Sequence, residues 1–336
     1  MQMIGGNRPC GRIGGAMKVD DQLRRLGDLR RADVSAEMVE EARKGLKSAS
    51  GFVVAKAADM VREKRLDGLR AEMVEAFERC LTGGEKKDKG CEAKLAIVKV
   101  LHELEWEEIE LFRKGVRCVQ MEATWGGSID VGANVRAASA VALARTRYPH
   151  VLMELVELLA DAESRVRIAA AEAIGAAGRS EGELLLRLKV MISTRADPLR
   201  ARMIEPEPEV ITACLSSILQ LGRSASVTFV AEYLDSSDES VRDGAALALG
   251  ASRVAEAFEV LKSKWSAGMD QSFMEVILLA MGTIRDERAT AFLLEQVEQG
   301  STRIAKAALA AVKPLANDER VKKRLEEAMA KRNDLK

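Results

Sequence analysis

RVRIAAAEAIG, residues 165–175, returns in the same chain as NVRAASAVALA at 134–144 and as SVRDGAALALG at 240–250. When the valine of the Val-Arg pair is taken as an anchor, the first two copies lie 31 residues apart. Looser copies have their anchors at Val210, Phe273 and Ile304, and still looser ones near Val53 and Ala93. A recurring period of this length is typical of stacked helical repeats, each of which buries its apolar face against its neighbours.

Apolar side chains recur four and eight residues after each anchor, as in Val166, Ala170 and Ile174. Steps of four residues stay on one face of an α-helix, so these rows predict buried helical seams rather than strands. Glycine stands nine residues after three of the anchors, at Gly175, Gly250 and Gly282. There we expect either close packing or the end of a helix.

A second amphipathic segment precedes each anchored helix, at 151–159, 183–192, 227–234, 255–265 and 289–297. Residues that can cap helix starts stand between the pairs, at Asp161, Asp238, Asp270 and Ser301. Period-2 alternation is too short to predict a strand. We therefore predict an all-α fold, a right-handed α-α superhelix (solenoid) of about eight helical pairs.

The motif D-x-x-x-x-V-R-x-x-A-A-x-A-I/L-G resembles HEAT repeats, and residues 161–175 match it nearly throughout. It is most similar to the short bacterial form that also occurs in phycobilin-lyase subunits. The resemblance covers about residues 130–316 and extends in apolar pattern to 35–125. It implies the HEAT-like architecture, but such repeats serve many roles, so it implies no single function.

Composition and motif spacing predict four segments along the chain. These are a disordered Gly-rich tail at 1–16, divergent helical repeats at 17–125, HEAT-like repeats at 126–316 and a C-terminal capping helix at 317–336. One interval between anchors is 44 residues long and contains Asp197-Pro198 and Glu207-Pro208. Proline removes a backbone donor and disfavours helix before it, so we interpret 195–208 as a loop insertion.

Charge and cysteine usage exclude several classes of partner. Lys plus Arg equals Asp plus Glu at 52 each, and no basic track stands against phosphate, so we predict no nucleic-acid partner. An 18-residue apolar run and a secretory pattern are both lacking, which predicts no membrane partner. Scattered cysteines without a Cys-x-x-Cys pair predict reduced thiols, a cytoplasmic location and no metal site. The cysteines are Cys10, Cys80, Cys91, Cys118 and Cys214.

The sequence predicts no catalytic residues and no cofactor. His102 and His150 are the two histidines, which leaves almost no candidate base for a nucleophilic triad. The glycine cluster at 126–132 lacks the Gly-Lys-Ser/Thr ending of a phosphate loop, so we expect an inter-helix loop there. We likewise expect residues 83–90, which are rich in lysine, to form a solvated loop.

Arginine follows the anchor directly in the three clearest copies, at Arg136, Arg167 and Arg242. An acid precedes each anchor by five residues or three, at Asp130, Asp161 and Asp238. Because arginine and acid recur together, we interpret them as ties between repeats rather than as an anion-binding ladder.

The second helix of each pair lines the concave face of HEAT-like arrays, so positions +2 and +6 from the anchor should face outward from it. This surface is mixed and mildly apolar, with more acids than bases, and it predicts a binding site for a protein or peptide. Its residues are Ile168, Glu172, Thr212, Ser216, Asp243, Leu247, Glu275 and Leu279.

We therefore predict a non-catalytic protein-interaction scaffold rather than an enzyme. Two alternatives stay open. One is an enzyme subunit similar to the phycobilin lyases, which would handle a tetrapyrrole. The other is a nucleic-acid binder similar to the helical-repeat DNA glycosylases, which depend on a basic cleft with aromatic and acidic residues.

Overall fold

The chain folds almost entirely into α-helices, which confirms the predicted all-α class at this coarse level. The structure is a computed structural model and describes residues 14–194, 207–265 and 270–332. These residues form two compact units, one that ends at His150 and one that begins at Val151. The boundary predicted at 125/126 lies within the first unit.

The first unit combines helices with one short hairpin. Its helices are α1 (Gly14–Leu29), α2 (Ala36–Leu46), α3 (Gly51–Lys64), α4 (Arg70–Gly83), α5 (Glu92–Glu103), α6 (Ile109–Gly115) and α7 (Ala133–Ala144). Its strands are β1 (Met121–Thr124) and β2 (Gly127–Asp130), and short 3-10 helices cover Asp67–Leu69, Gly84–Lys86 and Lys89–Cys91. Within this unit α3 packs against α2 and α5, and α7 packs against α5 and α6.

The second unit is helical throughout its described residues. Its helices are α8 (Val151–Leu158), α9 (Ser164–Ala177), α10 (Glu181–Thr194), α11 (Pro208–Gly222), α12 (Val227–Ala231), α13 (Glu239–Ser252), α14 (Ala255–Ser263), α15 (Gln271–Ile284), α16 (Glu287–Gln299), α17 (Thr302–Val312) and α18 (Glu319–Ala330). Short 3-10 helices cover Arg223–Ser226, Glu232–Asp235 and Lys313–Leu315.

Alternate helices of the second unit lie side by side, and each of them contains one anchor. We call α9, α11, α13, α15 and α17 the anchor helices. Each contacts the next in this order, while α10 packs on α11, α14 on α13 and α15, and α16 on α17. Each of the five predicted preceding segments coincides largely with one of the other helices, although the segment 227–234 is split between α12 and the 3-10 helix that follows it.

The anchor helices bury the seams that the sequence predicts. In α9, Val166, Ala170 and Ile174 are fully buried, and the equivalent positions of α13, α15 and α17 are buried as well. Full burial of one Val, Leu or Ile side chain contributes about 1.5–3 kcal/mol, so these rows supply much of the stability of the unit. The seam prediction is confirmed.

Glycine nine residues after the anchor lets neighbouring anchor helices approach closely. A methyl group on Gly282 would lie 2.6 Å from the carbonyl oxygen of Ala311 on α17. A methyl group on Gly175 would lie 2.8 Å from the Cβ atom of Ser217 on α11. Both glycines lie inside their helices, so close packing is the correct one of the two expected roles.

Three of the four predicted caps begin their helices. The side chain of Asp238 accepts from the backbone N–H groups of Ser240 and Val241, and Asp270 and Ser301 cap α15 and α17 in the same way. The prediction for Asp161 is wrong, because Glu163 occupies the N-cap position of α9. Asp161 instead accepts from the Glu163 N–H group and closes the turn before the helix.

The connection between α6 and α7 contains a β-hairpin rather than the predicted loop. Strands β1 and β2 pair antiparallel, with Met121 opposite Asp130 and Thr124 opposite Gly127. The two turn residues are Trp125 and Gly126, and the φ of +103° at Gly126 is a conformation that glycine adopts readily. The expectation of no strand is therefore wrong here, because strands of four residues are too short to show a period.

Two predicted segments lie mostly outside the described residues. These are the tail, of which only residues 14–16 belong to α1, and the insertion, of which only Glu207 and Pro208 are described. The predicted capping helix corresponds to α18, which buries Leu325 and Ala328 and packs against α16. Val321 and Met329, which lie on the same side of the helix as Leu325, are half-buried.

One helical stretch among the described residues, Pro208–Asp235, is long and apolar enough to cross a membrane by length and composition alone. Of its apolar window, 56% is buried inside the structure. The stretch contains α11, which packs against α9, α10 and α13. Those contacts are the ones that a core helix makes.

Candidate functional site

Each anchor helix of the second unit leaves one narrow face outside the helix packing. At position +6 Glu172, Ser216, Leu247 and Leu279 are exposed, and at position +2 Ile168, Thr212, Asp243 and Glu275 are half-buried. We call these eight residues the outer strip. They are the predicted binding residues, and all eight have side chains accessible to solvent.

The fold brings the outer strip together because its helices touch one another in sequence order. Helix α11 approaches α13 so closely that a methyl group on Gly244 would lie 3.1 Å from the Cβ atom of Thr212. The strip therefore crosses four consecutive anchor helices, from α9 to α15. Lys306 and Ala310, at the same positions on α17, are also exposed and extend the row by one helix.

Two large apolar side chains lie exposed on neighbouring helices of the strip. Leu247 on α13 is 38% exposed and Leu279 on α15 is 51% exposed. A single exposed leucine is common on a protein surface. Two at equivalent positions of contacting helices, on helices that are otherwise well buried, form an apolar patch that a partner could cover.

Carboxylates flank these leucines. Burial raises the pKa of Asp243, with Glu239 and Asp270 acting in the same direction and Arg242 opposing them. Glu275 forms an ion pair with Arg303 of α17. The eight residues of the strip contain three acids and no base. The strip is thus apolar at position +6 of α13 and α15 and acidic at position +2 of the same two helices.

The first arginine of the repeats pairs as predicted. Arg136 Nη1 donates to Asp130 Oδ2 at 2.6 Å and to the Cys118 carbonyl oxygen at 2.8 Å. Asp130 Oδ1 accepts from the backbone N–H groups of Gln120 and Gly132. This buried pair fastens α7 to the hairpin, and its role is structural.

The second and third arginines bridge neighbouring repeats through partners other than the expected acids. Arg167 Nε donates to Glu207 at 2.8 Å, and Glu207 is the N-cap residue of α11. Arg242 lies 3.7 Å from Asp270, the N-cap residue of α15, and its guanidinium stacks over Phe273. Each arginine thus reaches the start of the next anchor helix.

Arg167 and Arg242 thus join neighbouring anchor helices as expected, whereas Arg136 joins α7 to the hairpin directly before it. Two of the expected acids are wrong. Asp161 offers Arg167 its carbonyl oxygen rather than its carboxylate. Asp238 uses its carboxylate to cap its own helix.

An exposed apolar stripe on α10 was missed because the sequence does not show which face of that helix is covered. Leu186 and Val190 are the buried large apolar residues of α10, while Leu188 is 52% exposed. Leu184 and Ile192 are exposed one turn to either side of it. The spacing of four residues between these three was the available signal.

A buried polar network in the first unit was also missed. Lys94 Nζ lies 3.1 Å from Asp88 and donates to Gln120 at 2.9 Å, and all three side chains are buried. Gln120 in turn donates to Glu122 at 2.6 Å. The expectation of a solvated loop at 83–90 is wrong for Asp88, whose carboxylate caps α5 by accepting from the N–H groups of Ala93 and Lys94.

The described part of the chain holds no group of three or more His, Cys, Asp or Glu side chains placed to bind a metal ion. His102 lies half-buried at the end of α5, and burial lowers its pKa. The chain matches no family model, and it matches no curated protein.

Proposed function

We propose that this chain is a non-catalytic, cytoplasmic interaction scaffold built on HEAT-like repeats, and that it binds a protein or peptide on the outer strip. The observation that carries the proposal is the strip itself. It runs across contacting anchor helices, which are otherwise well buried, and places Leu247 and Leu279 at equivalent exposed positions of two neighbouring helices. Apolar grooves with charged borders are common docking sites for helical and extended peptides.

The proposed solenoid architecture has three kinds of support in the second unit. The anchor helices contact one another in order, glycines such as Gly282 permit close approach, and Arg167 and Arg242 reach the next helix start. These interactions repeat with the period of the sequence motif. On this basis we propose that the strip corresponds to the concave face of a right-handed superhelix.

The composition of the strip favours a partner segment that carries apolar side chains beside basic ones. Leu247 and Leu279 would be covered by the apolar side chains. Glu172 and Asp243 would attract the basic ones, because charges at the rim of an interface steer association and fix register. A nucleic acid would instead be repelled by this acidic border, since its phosphates need a basic track.

Site-specific photo-crosslinking tests the proposal. The full chain would carry p-benzoylphenylalanine at Leu279 in one sample and at Leu188 in the other, two positions that are equally exposed. Cross-linked proteins would be identified by mass spectrometry and then tested as purified proteins for direct binding. We expect a partner to be captured from position 279 and not from 188. Capture from 188 alone would contradict the proposal.

The same purified chain separates the two alternatives. A bilin-handling subunit predicts a pigment that absorbs visible light and copurifies with the chain, or that binds when a linear tetrapyrrole is added. A nucleic-acid binder predicts DNA binding at low salt that weakens as salt rises. We expect neither result.

A further inference from the structure

Two cysteines that are distant in sequence lie beside each other in the first unit. Cys91 ends the 3-10 helix before α5, and Cys118 stands just before β1. Both residues are buried, and each thiol acts directly on the pKa of the other. The backbone N–H group of Gly90, the residue before Cys91, donates to Glu122 at 2.7 Å, which holds the Cys91 segment against the chain that follows Cys118. The buried network holds them there, because Lys94 on α5 bonds to Gln120, two residues after Cys118.

Two ion pairs border this thiol pair, Lys94 with Asp88 and Arg136 with Asp130. Lys94 and Arg136 both act on Cys118, and Arg136 also donates to the Cys118 carbonyl oxygen. The hydrogen-bonding interaction with Cys91 lowers the pKa of Cys118 despite its burial, with Lys94 and Arg136 acting in the same direction and Asp130 opposing them. The same interaction and burial raise the pKa of Cys91. The two thiols are therefore unequal. Cys118 ionises more readily to the thiolate, and Cys91 stays protonated and acts as the donor towards it.

Two other buried cysteines differ from this pair. Burial raises the pKa of Cys80 to about 11 and that of Cys214 to about 12. A thiol held in its neutral form reacts slowly with oxidants, because the thiolate is the nucleophile. Cys80 and Cys214 thus serve as internal controls for the chemistry of Cys91 and Cys118.

We propose that Cys91 and Cys118 are an oxidisable dithiol that closes to a reversible intramolecular disulfide when a peroxide reacts with Cys118. The Cys118 thiolate attacks one peroxide oxygen, the O–O bond breaks, and the departing hydroxide is protonated to water. Cys118 is then a sulfenic acid. The Cys91 sulfur attacks the Cys118 sulfur, the S–O bond breaks, and the second hydroxide leaves as water with the proton of Cys91. Two thiols and one hydrogen peroxide become one disulfide and two waters.

The hairpin provides the route by which peroxide enters. Cys118 is followed by Val119, which is exposed, and both faces of the hairpin have exposed residues, including Met121 on one face and Ile129 on the other. A short two-stranded element of this kind opens locally more easily than the helical core. The disulfide would join the start of α5 to the segment before the hairpin, two segments that Lys94 and Gln120 already hold together.

Mass spectrometry of the full chain tests this proposal without any variant. After hydrogen peroxide treatment and alkylation of free thiols, trypsin releases Cys91 in residues 90–94 and Cys118 in residues 118–136. We expect these two peptides to be joined in the unreduced digest and separated by dithiothreitol. Recovery of both peptides in alkylated form after oxidation, or links that favour Cys80 or Cys214, would overturn the proposal.

Single variants assign the order of the two steps. With Cys91→Ser, Cys118 has no resolving partner, and we expect dimedone to trap its sulfenic acid. With Cys118→Ser, we expect no dimedone adduct on Cys91. Cys214→Ser, the matched control, should leave the cross-linked peptide unchanged. Circular dichroism checks that each variant is folded, and a dimedone adduct on Cys91 in Cys118→Ser would contradict the assignment.

Discussion

Arg136 Nη1 lies 2.6 Å from Asp130 Oδ2, and both side chains are largely removed from solvent. The pair joins the first turn of α7 to the end of β2. Removal of one partner leaves a buried charge unpaired, which costs about 3–5 kcal/mol. We therefore expect Arg136→Ala to lower the free energy of unfolding by this amount in urea denaturation.

The matched control for Arg136→Ala is Arg24→Ala. Arg24 pairs with Asp21 on the exposed side of α1, and an exposed pair contributes less than about 1 kcal/mol. Equal losses in the two variants would contradict the structural role of the Arg136–Asp130 pair.

The same pair makes stability depend on pH. Burial tends to raise the pKa of Asp130, but hydrogen bonds from Gln120, Arg136 and Gly132 outweigh burial and lower it. A carboxyl whose pKa is lowered in the folded state stabilises the fold above its unfolded pKa of about 3.9, and this contribution is lost as pH falls through the folded pKa.

Unfolding free energies between pH 6 and pH 3 test this linkage. The wild-type chain should lose stability more steeply below about pH 4 than Asp130→Asn, because only the wild-type carboxyl takes up a proton on unfolding there. Parallel pH profiles for the two chains would show that Asp130 has an ordinary pKa.

Close approach of the anchor helices predicts an unusual response to a glycine substitution. Gly282→Ala favours helix by about 1 kcal/mol, but its methyl group would lie 2.6 Å from the Ala311 carbonyl oxygen. Overpacking of this kind costs about 1–3 kcal/mol, so we expect a net loss of stability in thermal unfolding.

Gly27→Ala on α1 is the control for the glycine prediction. No atom lies within 4 Å of a methyl group placed there. Only the helix preference then acts, and we expect a gain of about 0.5–1 kcal/mol. A gain in Gly282→Ala as well would show that the anchor helices have room between them.

Substitution of two leucines tests which face of α10 packs against the rest of the second unit. Leu186 is fully buried and Leu188 is half exposed. Leu186→Ala should cost about 2–5 kcal/mol, because it removes buried apolar surface and leaves a cavity. Leu188→Ala should change stability by less than about 0.5 kcal/mol. The reverse order, measured by urea denaturation, would place the other face of α10 in the core.

The sequence was sufficient to predict the helical seams, because a period of four residues fixes which face of each anchor helix is apolar. Val166 and Val241 are buried as that period requires. It was also sufficient to place Leu247 and Leu279 on an accessible face, since these positions lie off the seam.

Three features depend on contacts between distant residues, and the sequence did not predict them. The hairpin strands are four residues long and pair through a turn at Gly126. Asp88 is buried only because Lys94 and Gln120 meet it in space. The apolar residues of α10 surround the helix, so neighbouring helices decide that Leu188 stays exposed.

The most direct test of the central claim is a comparison of binding affinities. A purified partner, identified by cross-linking, is titrated with three forms of the chain. Isothermal titration calorimetry would compare the wild type with Leu279→Asp and with Leu188→Asp, which place the same charge at positions of equal exposure. We expect Leu279→Asp to weaken binding at least tenfold, about 1.4 kcal/mol, and Leu188→Asp to leave it unchanged. Unchanged affinity in Leu279→Asp, or a loss confined to Leu188→Asp, would contradict binding on the outer strip.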